Sequence, residues 1–212
     1  MFTWNTIVLD TLDLILTFIA GVGAFILFII GLKRYKKDQI WKRSEFVAKE
    51  IQEFTSDKMV RNTMFMLDWG HRKIELFPDK PVYEDRFAKV DRQILNSALE
   101  FHELRNKIPG QERFTEVETA IRDNFDQFLS YFEKFEQFIV AKLITKSEIS
   151  PYLDYWITAI ADKMEKTTRE VLYNFINEYN YHGTQNLFKR FGKNIMPGIE
   201  SKTLVKTPEL TE

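Results

Sequence analysis

The chain contains no cysteine, which removes disulfides, thiol catalysis and zinc–thiolate sites together and suits a reducing compartment. Histidine is scarce. His71, His102 and His182 lie far apart in sequence, and none stands in His-Glu-x-x-His or in the Glu-x-x-His pair of di-iron bundles. Glycine-rich phosphate loops are missing, as is the Gly-x-Ser-x-Gly elbow. The arginine–histidine spacing of HEPN ribonucleases is missing too, because Arg61 and His71 stand too far apart. These absences leave no catalytic residue, cofactor site or metal ligand set to assign, so the expectation is a protein that is not an enzyme. A formal net charge of -1 gives no global field for nucleic acid, so no nucleic-acid partner is expected.

What the chain does have is one long run without charge. Residues 14–32, LILTFIAGVGAFILFIIGL, are about as long as a bilayer's hydrocarbon core requires of a helix. A helix is also the single-segment solution that satisfies every backbone N–H and C=O within lipid. Leu14, Phe18, Gly21, Gly23, Phe28 and Leu32 mark the span, and the hydroxyl of Thr17 can bond a carbonyl one turn back. A cleaved signal peptide needs a positive n-region, whereas only Asp10 and Asp13 are charged before residue 14. The basic residues follow the run instead: Lys33, Arg34, Lys36, Lys37, Lys42 and Arg43. By the positive-inside rule that asymmetry places the N-terminus outside and the rest in the cytoplasm, with anionic lipid head groups as a natural contact of the basic flank.

Downstream the pattern is helical. Residues 38–55 contain no Gly or Pro, so the span helix can run on through Ile40, Phe46, Val47, Ile51 and Phe54. Ser56-Asp57 offers a cap for a second helix, broken near Gly70. Pro78 and Pro81 mark a loop, and a third helix is expected over 84–106, ended by Ile108-Pro109-Gly110. A fourth helix over 114–143 carries a seam of Ile121, Phe125, Phe128, Phe132, Phe135 and Ile139 at alternating four and three spacing. Its phenylalanine content favours the core of an intramolecular bundle over an oligomer seam, since Leu and Ile are the regular residues of coiled coils. Ser150 then reads as a cap with Pro151 as the first helical residue. Two last helices, over 167–181 and 184–191, are separated near Gly183, read as a C-terminal cap. No stretch alternates convincingly as a strand.

The expected fold is therefore all-α: one N-terminal transmembrane helix followed by a cytoplasmic helical bundle. The divisions are 1–13 outside the membrane, 14–32 the span, 33–55 a basic juxtamembrane helix, 56–194 the bundle and 195–212 a disordered tail. One candidate surface site stands out, Asp68, Trp69, His71 and Arg72, where a carboxylate, an indole, an imidazole and a guanidinium adjoin. Its plainer reading is a helix end held by tryptophan burial and an Asp68–Arg72 ion pair.

The order of one span, Trp41-Lys42-Arg43 with Phe46, Met66-Leu67-Asp68-Trp69, Phe135-Glu136-Gln137-Phe138, Pro151-Tyr152-Leu153 with Tyr155-Trp156, and Gly183 before Arg190-Phe191-Gly192 resembles a family of bacterial membrane-anchored proteins with a helical domain. The resemblance covers most of the chain, its motifs are aromatic packing signatures, and it implies no established activity. In layout alone the chain is similar to one-span accessory proteins of bacterial antiviral systems. The expected function is a single-pass tether or protein-interaction module at the inner face of the cytoplasmic membrane, with the bilayer and a protein partner or second copies as its contacts. The alternative is an oligomeric pore-forming or membrane-perturbing effector, in phage defence.

Overall fold

The computed structural model describes residues 4–100 and 113–196, with side chains from residue 16 onward. The protein is mostly helical, and it divides into two compact units at Phe46/Val47.

The first unit is helix. Helix α1 runs Trp4–Ser56, and its described apolar stretch has a mean hydropathy of 2.2 with none of it buried. Phe18 and Phe28 are 72% and 61% exposed, and nothing lies within 4 Å of a Cβ added at Gly21, Gly23 or Gly31. This one long apolar helix near the N-terminus is long and apolar enough to cross a membrane, and a signal sequence satisfies the same criterion.

The second unit begins inside α1, where Val47, Ile51 and Phe54 are buried at the spacing of one helix face. Helix α2, Lys58–Asp68, is started by Asp57, whose carboxylate accepts from the N–H groups of Met59 (2.8 Å) and Val60 (3.1 Å). Its last carbonyls, those of Met66 and Leu67, are taken by the guanidinium of Arg92 at 3.1 and 3.2 Å.

Here the all-α expectation needs correcting. Strand β1, His71–Glu75, pairs antiparallel with β2, Phe87–Asp91, in the register Arg72↔Val90 and Ile74↔Ala88. Over the described part of the helix expected at 84–106, the chain instead makes a 3-10 turn, Glu84–Arg86, then β2 and the short helix α3, Arg92–Leu99, while 101–106 lie outside the described residues. Strands of five residues show too few alternations to stand out. Here only Ile74 and Val90 among the paired residues are buried. The switch from strand to helix falls at Asp91, whose side chain caps the N–H of Ile94 at 2.9 Å. The expected helix end at Ile108-Pro109-Gly110 lies outside the described residues.

Helix α4, Glu116–Val140, is the axis of the unit, with α2 and α3 packed along it. A full capping box starts it: Glu118 N–H donates to Thr115 Oγ1 at 3.2 Å, and Thr115 N–H donates to the Glu118 carboxylate at 2.8 Å. The expected seam is core. Ile121, Phe125, Phe128, Phe132 and Phe135 are buried, while Ile139 at the end of the seam is half-buried. Phe54 meets Phe135 edge-on at 5.5 Å, and Phe132 lies 4.6 Å from Phe128 and 6.1 Å from Phe188, distances at which ring pairs attract.

Helix α5, Lys146–Thr158, starts earlier than the Ser150-Pro151 reading, because Thr145 and Glu148 form a second capping box. Pro151 is tolerated inside its exposed early turns, where the Ser150 hydroxyl donates to the Lys146 carbonyl at 3.0 Å. A π-helical turn, Ala159–Lys163, leads to α6, Lys166–Glu178. Gly183 is also reassigned. The left-handed residue after α6 is Asn180, at φ 57°, and Gly183 lies in the first turn of α7, His182–Arg190. A Cβ there would fall 2.6 Å from Glu133 Oε2, so the end of that side chain would have to give way. That carboxylate accepts the N–H of Thr184, so α4 caps α7. The true glycine cap is Gly192, at φ +70°. Beyond it Ile195 is still buried, and the rest of the expected tail, 197–212, lies outside the described residues.

Candidate functional site

Arg72, Trp69 and Asp68 stand at the junction of α2 and β1, and the structure gives each its own partner. Trp69 is already extended, at φ -117° and ψ 131°, so the helical spacing that would bring Asp68 to Arg72 is lost one residue into the motif. Asp68 instead accepts from the Tyr155 hydroxyl of α5 at 2.5 Å, and that bond is the first cause of the upward shift of the Tyr155 phenol. Arg72 lies over the Phe65 ring at 4.2 Å and the Trp69 ring at 5.2 Å, as cations favour aromatic faces. The expected tryptophan burial and Asp68–Arg72 ion pair are thus both corrected: Trp69 is 55% exposed and works as one side of a stacking platform. His71 is exposed and stands opposite Asp91, whose carboxylate is used in capping α3. The motif makes an open surface in which the acid and the guanidinium serve different neighbours and the imidazole is exposed.

Beside this platform runs a groove of about 340 Å³ between α2 and β1, lined by Lys58, Arg61, Asn62, Phe65, Arg72, Lys73, Ile74, Glu75 and Phe87. Lys58 bridges to Glu75 at 2.7 Å, and the buried amide of Asn62 donates to the Glu75 carbonyl at 3.0 Å, tying helix to strand. Of the lining cations, Arg72 alone belongs to the candidate surface motif Asp68, Trp69, His71 and Arg72. Lys58, Arg61 and Lys73 carry no motif, and only the pairing of helix with hairpin collects them.

The basic residues Lys33, Arg34, Lys36, Lys37, Lys42 and Arg43 are exposed on α1. Among the described residues, no three His, Asp or Glu side chains gather where they could hold a metal ion. His182 opens α7 as an exposed residue, and His102 lies outside the described residues.

Charged groups elsewhere in the second unit do structural work. Arg122 is 7% exposed and donates to the carbonyls of Ala98 (2.7 Å) and Glu100 (3.1 Å), closing the end of α3, and to the Tyr179 hydroxyl at 2.5 Å. Phe114 and Phe175 flank its guanidinium at 4.2 and 4.9 Å. Glu136, 4% exposed, receives the Arg190 fork at 2.8 and 2.5 Å, and Glu136 in turn raises the Arg190 pKa. The Tyr181 hydroxyl donates to Asp126 at 2.9 Å. Burial, as the largest cause, pushes both the Asp126 carboxyl and the Tyr181 phenol up.

Compared with protein-family models, with curated proteins and with solved structures, the chain matches none of them.

Proposed function

We propose that this protein is a single-pass membrane tether: α1 anchors it in the cytoplasmic membrane with the N-terminus outside, and the helical domain from Val47 onward presents an interaction surface on the inner face. The observation that carries the reading is the exposed apolar length of α1, which contrasts with a second unit whose core phenylalanines, Phe54, Phe125, Phe128, Phe132, Phe135, Phe175 and Phe188, are buried. Exposed aromatic residues of this extent are costly in water and cost nothing in lipid. The basic residues that follow the apolar run support the orientation.

A tether acts by concentration. Confining the domain to a surface raises its effective concentration for partners on the same surface without any new contact. Trp69, Tyr152 and Tyr155, each about half exposed, are the aromatic side chains such partners use as anchors.

Alkaline carbonate extraction of membranes tests the anchoring. The full-length chain is expected to stay in the pellet, and replacement of Phe18, Ile19 and Ile26 by Asp is expected to release it. Release of the unaltered chain would overturn the reading.

A further inference from the structure

We infer that the groove between α2 and β1 is a binding site for a phosphate-bearing ligand. Four cations and one carboxylate line it, and the carboxylate, Glu75, is engaged by Lys58. Arg61, Arg72 and Lys73 have no carboxylate partner among the described residues, in a unit that elsewhere pairs Lys134 with Glu50, Lys80 with Glu116 and Arg190 with Glu136. In a chain of net charge -1, three such cations from α2 and β1 lining one groove concentrate positive potential there.

The arrangement is also prepared. Arg72 is held by the faces of Phe65 and Trp69, so its planar fork is ordered before any ligand arrives, and ordering it on binding costs less. Lys73 stands directly across the strand pair from Lys89, a like-charge pair that adds to the positive charge beside the groove. The volume of about 340 Å³ is at the small end of ligand sites, which suits a phosphate or diphosphate group. Arginine forks recognise such oxygens bidentately. Two sources share that chemistry, a soluble phosphorylated molecule and a phospholipid head group. The site is argued from the second unit alone and stands whether or not α1 is an anchor.

The test is hydrogen exchange of the full-length protein in phosphatidylcholine nanodiscs, with pyrophosphate as the probe and sodium chloride at matched ionic strength as the control. At pyrophosphate ten times its dissociation constant, exchange of the His71–Glu75 amides through opening of the liganded state should slow about tenfold. The double variant Arg61→Gln with Lys73→Gln, both exposed, should lose that protection while α4 stays as protected as before. Protection by pyrophosphate in phosphatidylcholine discs, with none in phosphatidylglycerol discs lacking it, assigns a soluble ligand. Protection in phosphatidylglycerol discs without pyrophosphate, lost in the double variant, assigns the head group. Equal protection by sodium chloride, protection that persists in the double variant, or no protection in either disc overturns the site.

Discussion

Phe132 is the residue on which the core of the second unit can be tested most sharply. It is fully buried and joins three parts of the fold: its ring lies 6.3 Å from Phe54 at the end of α1, 4.6 Å from Phe128 within α4 and 6.1 Å from Phe188 in α7. Phe132→Ala removes the ring and leaves a cavity bounded by other rings that cannot collapse into it. Such truncations cost about 3–5 kcal/mol. For a domain of this size each kcal/mol moves the midpoint by about 2–4 °C, so Tm should fall by roughly 6–20 °C. Calorimetry of the full-length protein in detergent, run at two protein concentrations tenfold apart, reads both the drop and its origin. A core residue gives the same drop at both concentrations, whereas an oligomer seam makes the wild-type midpoint rise with concentration. Phe28→Ala, on the exposed part of α1, should leave the domain midpoint unchanged. A loss below about 1 kcal/mol for Phe132→Ala, or a concentration-dependent wild-type midpoint, would refute the assignment of the seam to an intramolecular core.

Other residues give independent tests. Arg122→Met strands the carbonyls of Ala98 and Glu100, and thermal unfolding should show a loss of about 2–4 kcal/mol. Arg122→Lys, which keeps the charge without the fork, should recover less than half of it. Gly183→Ala pushes the Glu133 carboxylate off the Thr184 N–H and should cost about 1 kcal/mol. In a Glu133→Ala background that cost should disappear, because a double-mutant cycle reports the coupling of neighbours. Burial raises the folded pKa of Asp126 above its ordinary 3.8, so its protonated form suits the fold. Its contribution to stability is full below the ordinary pKa and lost as pH rises through the folded one. The Tm difference between Asp126→Asn and wild type should therefore widen in favour of the variant as pH rises through that window, and a difference independent of pH would contradict the assignment.

Local chemistry made much of the fold legible. The Asp57 cap, the long apolar run of α1 and the phenylalanine seam of α4 depend on neighbours in sequence, and the structure has all of them. What stayed hidden depends on distant partners. The hairpin formed by His71–Glu75 and Phe87–Asp91 is too short for its period to stand out, and the close approach of Glu133, on another helix, to Gly183 has no mark in the local sequence. Pro151 misled by its usual place at a first helical turn, while the capping box of Thr145 and Glu148 set the actual start. Of the candidate surface site, Arg72 and Trp69 were visible as types. Their stacking on Phe65, the Tyr155 partner of Asp68 and the gathering of Arg61 with Lys73 needed the fold.

The central claim, a tethered domain with its N-terminus outside, is open to a direct measurement because the chain has no cysteine of its own. Thr3→Cys and Thr167→Cys would be labelled separately in intact cells with a membrane-impermeant maleimide. Labelling of Thr3→Cys in intact cells, with Thr167→Cys labelled only after permeabilisation, is the predicted result. Labelling of Thr167→Cys in intact cells, or loss of the Thr3→Cys segment from the mature chain, would contradict it.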